Sequence, residues 1–139
     1  MNKTLVTIPG QPIPLKRHRT SRGRTYDPQA ELKETIFWII HNQIKPDILQ
    51  EDIKAKLSFF MRIPKYLSNK KKLELLNQPH CKKPDLDNLI KFYLDVCNGL
   101  LYKDDAQINT INAKKIYSDN PRTIIEITSG EHQWPKQKN

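Results

Sequence analysis

The chain has 139 residues, with 24 Lys and Arg against 15 Asp and Glu, a net charge of +9 and 37% apolar residues. That length suits one domain able to bury about two-thirds of its unfolded surface. The longest apolar run, Ile36-Phe37-Trp38-Ile39-Ile40, falls far short of the roughly 20 residues that span a bilayer.

An excess of cations attracts polyanions, so nucleic acid is the first partner to consider. The N-terminus Met-Asn-Lys-Thr-Leu lacks the apolar core of a secretory signal, and Cys81 and Cys97 allow at most one disulfide. We expect both thiols reduced and a cytoplasmic chain with no membrane partner. His80 adjoins Cys81, but no CxxC or HxxxH pair completes a zinc site.

Taken in order, residues 4–8 are rich in β-formers and end at Pro9-Gly10, which predicts a first strand. Residues 14–28 carry Lys16, Arg17, Arg19, Arg22 and Arg24 and are too polar to pack, which predicts a basic arm or surface loop. Beyond Asp27-Pro28, apolar residues recur at Leu32, Ile36, Ile39, Ile40 and Ile44, the period of an amphipathic helix that stops before Pro46. Over 53–63 the alternation of Ile53, Ala55, Leu57, Phe59 and Met61 with Lys54, Lys56, Ser58, Phe60 and Arg62 predicts a half-buried strand with a basic outer face.

Pro64 breaks that strand, and Ser68 heads a short capped helix that opens with Lys70-Lys71-Lys72. A stronger helix is predicted over 87–98, with Leu89, Tyr93, Val96 and Cys97 on one stripe, Asn88, Lys91 and Asp95 on the other, and Asn98-Gly99 as its stop. Residues 107–117 and 122–128 predict two strands joined by Ser118-Asp119-Asn120-Pro121 as an antiparallel hairpin. Residues 130–139 are expected to form a flexible tail. The element order suggests an α+β, or mixed α/β, domain spanning 1–139, with a single sheet packed with helices.

Charge is unevenly placed. Residues 1–45 and 46–83 each sum to +5 and 106–139 to +2, whereas 84–105 sum to −3 and hold five carboxylates in 22 residues. Asp85 and Asp87 share a side only where the backbone is extended, and Pro84 favours a helix start near Asp87, whose carboxylate would then cap Leu89 or Ile90. Asp104-Asp105 follows the helix, where a loop can return to its start. A convergent cluster of oxygen donors without thiolate or imidazole suits Mg²⁺ or Mn²⁺. With Lys91 beside it, such a cluster is equipped for phosphodiester hydrolysis. The same residues also suit plain capping, turns and i±4 ion pairs, so both readings stand at this point.

The run Lys83-Pro84-Asp85-Leu86-Asp87-Asn88-Leu89-Ile90-Lys91, with the later Tyr102-Lys103-Asp104-Asp105-Ala106-Gln107, resembles the RusA family of Holliday-junction resolvases. The resemblance covers nearly the whole chain and departs from the shorter members in a longer connection over 64–83. It implies a RusA-like fold and a homodimeric, Mg²⁺-dependent endodeoxyribonuclease, with Mn²⁺ as a substitute and no small-molecule cofactor. Such an enzyme resolves four-way junction DNA by paired symmetric nicks in recombination and repair, in a bacterial host with a phage or prophage origin.

By position, the resemblance implies that Asp85, Asp87, Asp105 and Lys91 are catalytic and that Asp85, Asp87, Asp105 and Asp104 hold metal. The DNA-binding cations are expected to be Lys16, Arg17, Arg19, Arg22, Arg24, Lys70, Lys71, Lys72, Lys82 and Lys83. Two alternatives stay open: a flap- or fork-selective nuclease, and a non-catalytic DNA-binding accessory protein of recombination.

Overall fold

In the computed structural model, residues 3–44 and 48–133 are described. The predicted tail and the end of the first helix before Pro46 lie partly outside them. Six strands and three helices follow in the order β1 (Lys3–Pro9), β2 (Arg19–Ser21), β3 (Arg24–Tyr26), α1 (Ala30–His41), β4 (Glu51–Arg62), α2 (Asn69–Leu75), α3 (Leu86–Cys97), β5 (Ile108–Ser118) and β6 (Arg122–Gln133). A single 3-10 turn, Asp105–Gln107, leads into β5. The fold is α+β with a mixed main sheet in the order β1-β6-β4-β5, where only β4 and β5 run parallel.

The inner row predicted for 53–63 is present, but the outer row is not uniformly exposed: Ser58 is buried and Phe60 half-buried. Ile53, Ala55, Leu57, Phe59 and Met61 are buried on the inner face of β4, while Lys54, Lys56 and Arg62 stay exposed. Val6 and Ile8 of β1 and Ile125 and Ile127 of β6 extend that inner face. Two helices close over it: α1 through Ile36 and Ile40, and α3 through Leu89, Phe92, Tyr93, Val96 and Cys97. Burying side chains of this kind contributes roughly 1.5–3 kcal/mol each, which is what holds α3, and the acidic residues on its outer stripe, at a fixed height above the sheet. Leu32, expected on the apolar stripe of α1, remains at the surface.

Several local expectations are corrected. β5 and β6 do not pair as a hairpin, because β4 lies between them. The strand with the continuous apolar inner row gains most from neighbours on both edges. A link from Ser118 to Arg122 reaches the two strand spacings, about 10 Å, needed to step across it. The basic arm is not an irregular loop: β2 and β3 pair into a ribbon around Arg22 and Gly23, both at positive φ (52° and 74°), the geometry of a two-residue hairpin turn. The molecule therefore has a second, two-stranded sheet. Residues 130–133 of the expected tail belong to β6.

Asp85, not Asp87, stands at the N-cap of α3, and no side chain caps that end. At the other end the predicted stop is present, with Gly99 at φ 81°. Ser68 caps α2 as expected, accepting from the Lys71 amide at 3.3 Å. Downstream, the inserted segment pairs with the free edge of β5, where Asn77 and His80 donate to the Tyr117 and Lys115 carbonyls, each at 3.0 Å. No helix among the described residues is long and apolar enough to cross a membrane.

Candidate active site

Helix α3 carries Asp87, Lys91 and Asp95 at successive turns of its exposed face, the i, i+4, i+8 spacing that aligns side chains in one stripe. Asp87 lies in the first turn, where the helix dipole favours a carboxylate. Its Oδ2 is 3.8 Å from Lys91 Nζ. The 3-10 turn after α3 brings Asp105 to the same place. These four residues line one cavity of about 750 Å³. Leu15, Ile90, Leu94 and Ile108 supply apolar surface to it, and Lys16, Arg17, His18 and Lys33 supply a cationic wall.

The Asp105 turn is held from behind by Gln107, which is 2% exposed. Its Oε1 accepts from the Lys103 and Asp104 amides at 2.8 Å, and its Nε2 donates to the Leu49 and Glu51 carbonyls at 3.0 and 2.9 Å. All four valences of the amide are satisfied, which ties the acidic turn to the start of β4. Sequence reasoning assigned Gln107 no role, although Asp104-x-x-Gln107 is the spacing of a capping box, which the structure contains.

The structure does not bring all the expected carboxylates together. Asp85 lies in extended backbone just outside the helix. It takes an ion pair from Lys83 Nζ at 2.8 Å. That hydrogen bond is the main cause holding its carboxyl below the usual range. Asp104 accepts from the Ala106 amide at 3.0 Å and caps the 3-10 turn. Neither lines the cavity. Among the described residues, no three His, Cys, Asp or Glu side chains group closely enough to cage a metal ion.

Asp105 is electrostatically underserved. The desolvation of its niche is the main cause raising its carboxyl above the ordinary value; the Tyr102 hydroxyl opposes that shift, and Asp95 and Asp104 add to it. A divalent cation would offset this deficit. Mg²⁺ is usually held by one or two carboxylates together with waters and substrate phosphates and needs no full protein cage; of the expected ligands, Asp87 and Asp105 are the two that line this cavity. Asp95, which the sequence places only on the polar stripe of α3, has its carboxylate engaged by Lys33 Nζ at 2.9 Å. Nothing local could have revealed that pair, since its members are 62 positions apart.

The expected DNA-binding cations fall into two groups. Lys16 and Arg17 wall the cavity, and Arg19, Arg22 and Arg24 project on the exposed ribbon. Lys70, Lys71, Lys72, Lys82 and Lys83 lie on α2 and the segment after it, off the cavity. Lys115 anchors that segment: its Nζ donates to the Lys82 and Pro84 carbonyls at 2.6 and 2.7 Å, fixing the approach to Asp85.

Comparison with known proteins returns a match of residues 9–128 to the family model described as endodeoxyribonuclease RusA. The chain is 30% identical over 131 residues to the uncharacterized protein YqaN of Bacillus subtilis strain 168, covering 87% of this chain and 92% of that one. It is also 47% identical over 47 residues to the crossover junction endodeoxyribonuclease rusA of Lactococcus phage r1t, a match that covers 33% of this chain and 36% of the phage protein.

Proposed function

The chain belongs to the RusA endodeoxyribonuclease family, and from that membership we propose that it resolves four-way DNA junctions by paired symmetric nicks that depend on Mg²⁺. The observation that carries the reading is the meeting of Asp87, Lys91 and Asp105 in one cavity walled by Lys16 and Arg17. Membership of a nuclease family also decides against the non-catalytic alternative.

Asp87 and Asp105 would hold the ion, with Asp85 and Asp104 as neighbouring carboxylates. When bound, Mg²⁺ lowers the pKa of a coordinated water and offsets charge on the leaving oxygen. The protein's own residues do the rest. Lys91 presents an ammonium beside Asp87, where charge develops on the scissile phosphate; a fixed charge aimed there is the kind of stabilisation that favours the transition state over the ground state. Lys16 and Arg17 meet flanking phosphates and set the register of the backbone, while the ribbon arginines and the α2 lysines extend the contact along the arms. One chain offers one such cleft, so coordinated cuts in a two-fold junction call for a homodimer, which is part of the same proposal. The phage relative is consistent with a phage or prophage origin and action in a bacterial cytoplasm.

The test is a Mg²⁺ and Mn²⁺ titration with a fixed four-way junction, a flap and a linear duplex, read on denaturing gels alongside thermal unfolding of the protein. The proposal expects paired nicks on the junction above the other substrates. It also expects a cation-dependent rise in unfolding temperature that Asp87→Asn with Asp105→Asn removes. Equal cutting of flap and junction would favour the flap-selective reading. Nicking unaffected by chelator would overturn the metal assignment.

A further inference from the structure

The basic arm leaves and rejoins the body at two roots, and both converge on one buried residue. Gln29, 4% exposed, accepts from the Lys16 amide at 2.8 Å through Oε1 and donates to the Pro14 carbonyl at 2.9 Å through Nε2. Its own amide donates to Asp27 Oδ1 at 2.9 Å. The outgoing root at Pro14 to Lys16 is thereby stapled to the returning root at Asp27. The outgoing root is also joined to α3, through the Ile13 amide to the Tyr93 hydroxyl at 3.0 Å and the Leu15 amide to the Asn88 carbonyl at 2.9 Å.

The returning root has a different anchor. Lys33 of α1 sends its ammonium to Asp27 Oδ2 at 2.6 Å and to Asp95 Oδ2 at 2.9 Å, with its side chain only 16% exposed. One cation thus joins three elements: α1, the end of the arm and the cavity-lining stripe of α3. Lys33 itself lines the cavity that Asp87, Lys91 and Asp105 share. Without its positive charge, the Asp27 and Asp95 carboxylates would be left facing each other across the position it fills. Both hydrogen bonds are charge-assisted, and the Asp27 half is sheltered, whereas the Asp95 side chain is 52% exposed and that half is more open to screening.

We propose that Lys33 is a positioning residue that locks the returning root of the basic arm to α3, so that Lys16, Arg17 and His18 stay over the acidic cleft. The proposal rests on the junction-cutting reading for what the arm is positioned to do. The lock itself is independent of that reading. The ammonium of Lys33 is engaged by Asp27 and Asp95, and it is through them that it acts. Its contribution should show in how the arm meets DNA and much less in the chemical step.

Two variants separate charge from packing. Lys33→Met keeps the aliphatic stem and removes the ammonium, whereas Lys33→Arg keeps a cation able to reach two carboxylates. The first readout needs no DNA: tryptic cleavage of the native full chain after Arg19, Arg22 and Arg24, followed by mass spectrometry. Loss of two charge-assisted bonds should speed arm cleavage by on the order of tenfold in Lys33→Met. Lys33→Arg should stay within about twofold of the parent, because it restores both bonds. An unchanged rate in Lys33→Met overturns the lock whether or not the chain cuts junctions.

The second readout is steady-state nicking of a four-way junction. Lys33→Met should raise KM about fivefold or more with kcat falling less than about twofold, and arginine should restore KM. A loss carried by kcat alone, or one that arginine leaves uncorrected, overturns the positioning role. Should Lys33→Met fail to fold, Asp27→Asn severs only the arm end of the bridge and is read by the same two assays, with the same outcomes for and against. A parent chain that neither binds nor nicks junctions sinks the functional reading, while the proteolysis result still decides the lock.

Discussion

Lys91 Nζ lies 3.8 Å from Asp87 Oδ2, one helical turn further along α3, with both side chains more than half exposed. An exposed pair at that distance adds little to stability. Under the proposed function it keeps an ammonium next to the carboxylate where the scissile phosphate would sit. Lys91→Ala should therefore lower single-turnover nicking by roughly 10²–10³ while leaving the unfolding midpoint nearly unchanged. Junction affinity measured by anisotropy should change only about threefold, the effect of one phosphate-facing charge among many. Unaltered nicking would remove Lys91 from the chemistry.

Gln107 makes a stability prediction. Gln107→Leu matches its volume but leaves two amides and two carbonyls without partners beside a buried core. Unpaired buried groups cost about 1–3 kcal/mol each, less where water reaches them, so urea unfolding should show a loss of about 3 kcal/mol or more. Because the same amide holds the Asp105 turn, nicking should fall even at temperatures where the variant is folded.

The arm makes a salt prediction. Arg17, Arg19, Arg22 and Arg24 are exposed along the arm and its ribbon. Replacing all four by Ala should reduce the slope of log affinity against log salt by about 3–4, since each phosphate contact contributes roughly 0.9. A slope equal to the parent's would mean that the arm does not meet DNA.

Acid stability should report on Asp27. The Lys33 hydrogen bond holds its carboxyl below the ordinary value of 3.8. A group depressed on folding contributes stability that is present above its unfolded pKa and is lost as pH falls through its lower folded pKa. Asp27→Asn should thus be less stable than the parent by about 1–2 kcal/mol at pH 7, the worth of a charged hydrogen bond. The two proteins should converge below pH 3.8, where the parent's own carboxylate becomes protonated. A constant difference across that range in urea titrations would refute the assignment.

Thiol chemistry offers a further observable of the fold. Cys81 is exposed, whereas Cys97 is buried on α3, and burial, with a smaller push from Asp105, drives its thiol up to about 12. Thiolate is the reactive form, so native labelling at pH 8 should modify Cys81 alone and reach Cys97 only on unfolding. Rapid labelling of both would show that α3 is not packed as described.

Much was legible within single segments. The alternation along β4, the apolar stripe of α3, the Ser68 cap and the Gly99 stop are set by side-chain periodicity and local backbone preference, which a linear reading captures. The same holds for the acidic island among basic segments, which is a property of composition. What a segment pairs with is different. That β4 would separate β5 from β6 depends on which strand gains most by having two neighbours, a comparison across the whole core. That the arm would form a ribbon rests on the positive φ at Arg22 as well as Gly23, and arginine carries no sequence signal for it.

The site divides along the same line. The sequence by itself determined that a group of carboxylates and a lysine lie close along an otherwise basic chain, because motif spacing and charge are linear properties. Only the tertiary structure decided which of them meet. Asp87, Lys91 and Asp105 share a cavity, Asp85 is drawn out to Lys83, and Asp104 is taken by its own turn. Asp95 lines the same cavity from the α3 stripe, and its partner Lys33, 62 residues away, is brought beside it by the packing of α1 and α3. Each carboxylate settles on the nearest donor the folded backbone supplies, and which donor is nearest is a fact of three dimensions.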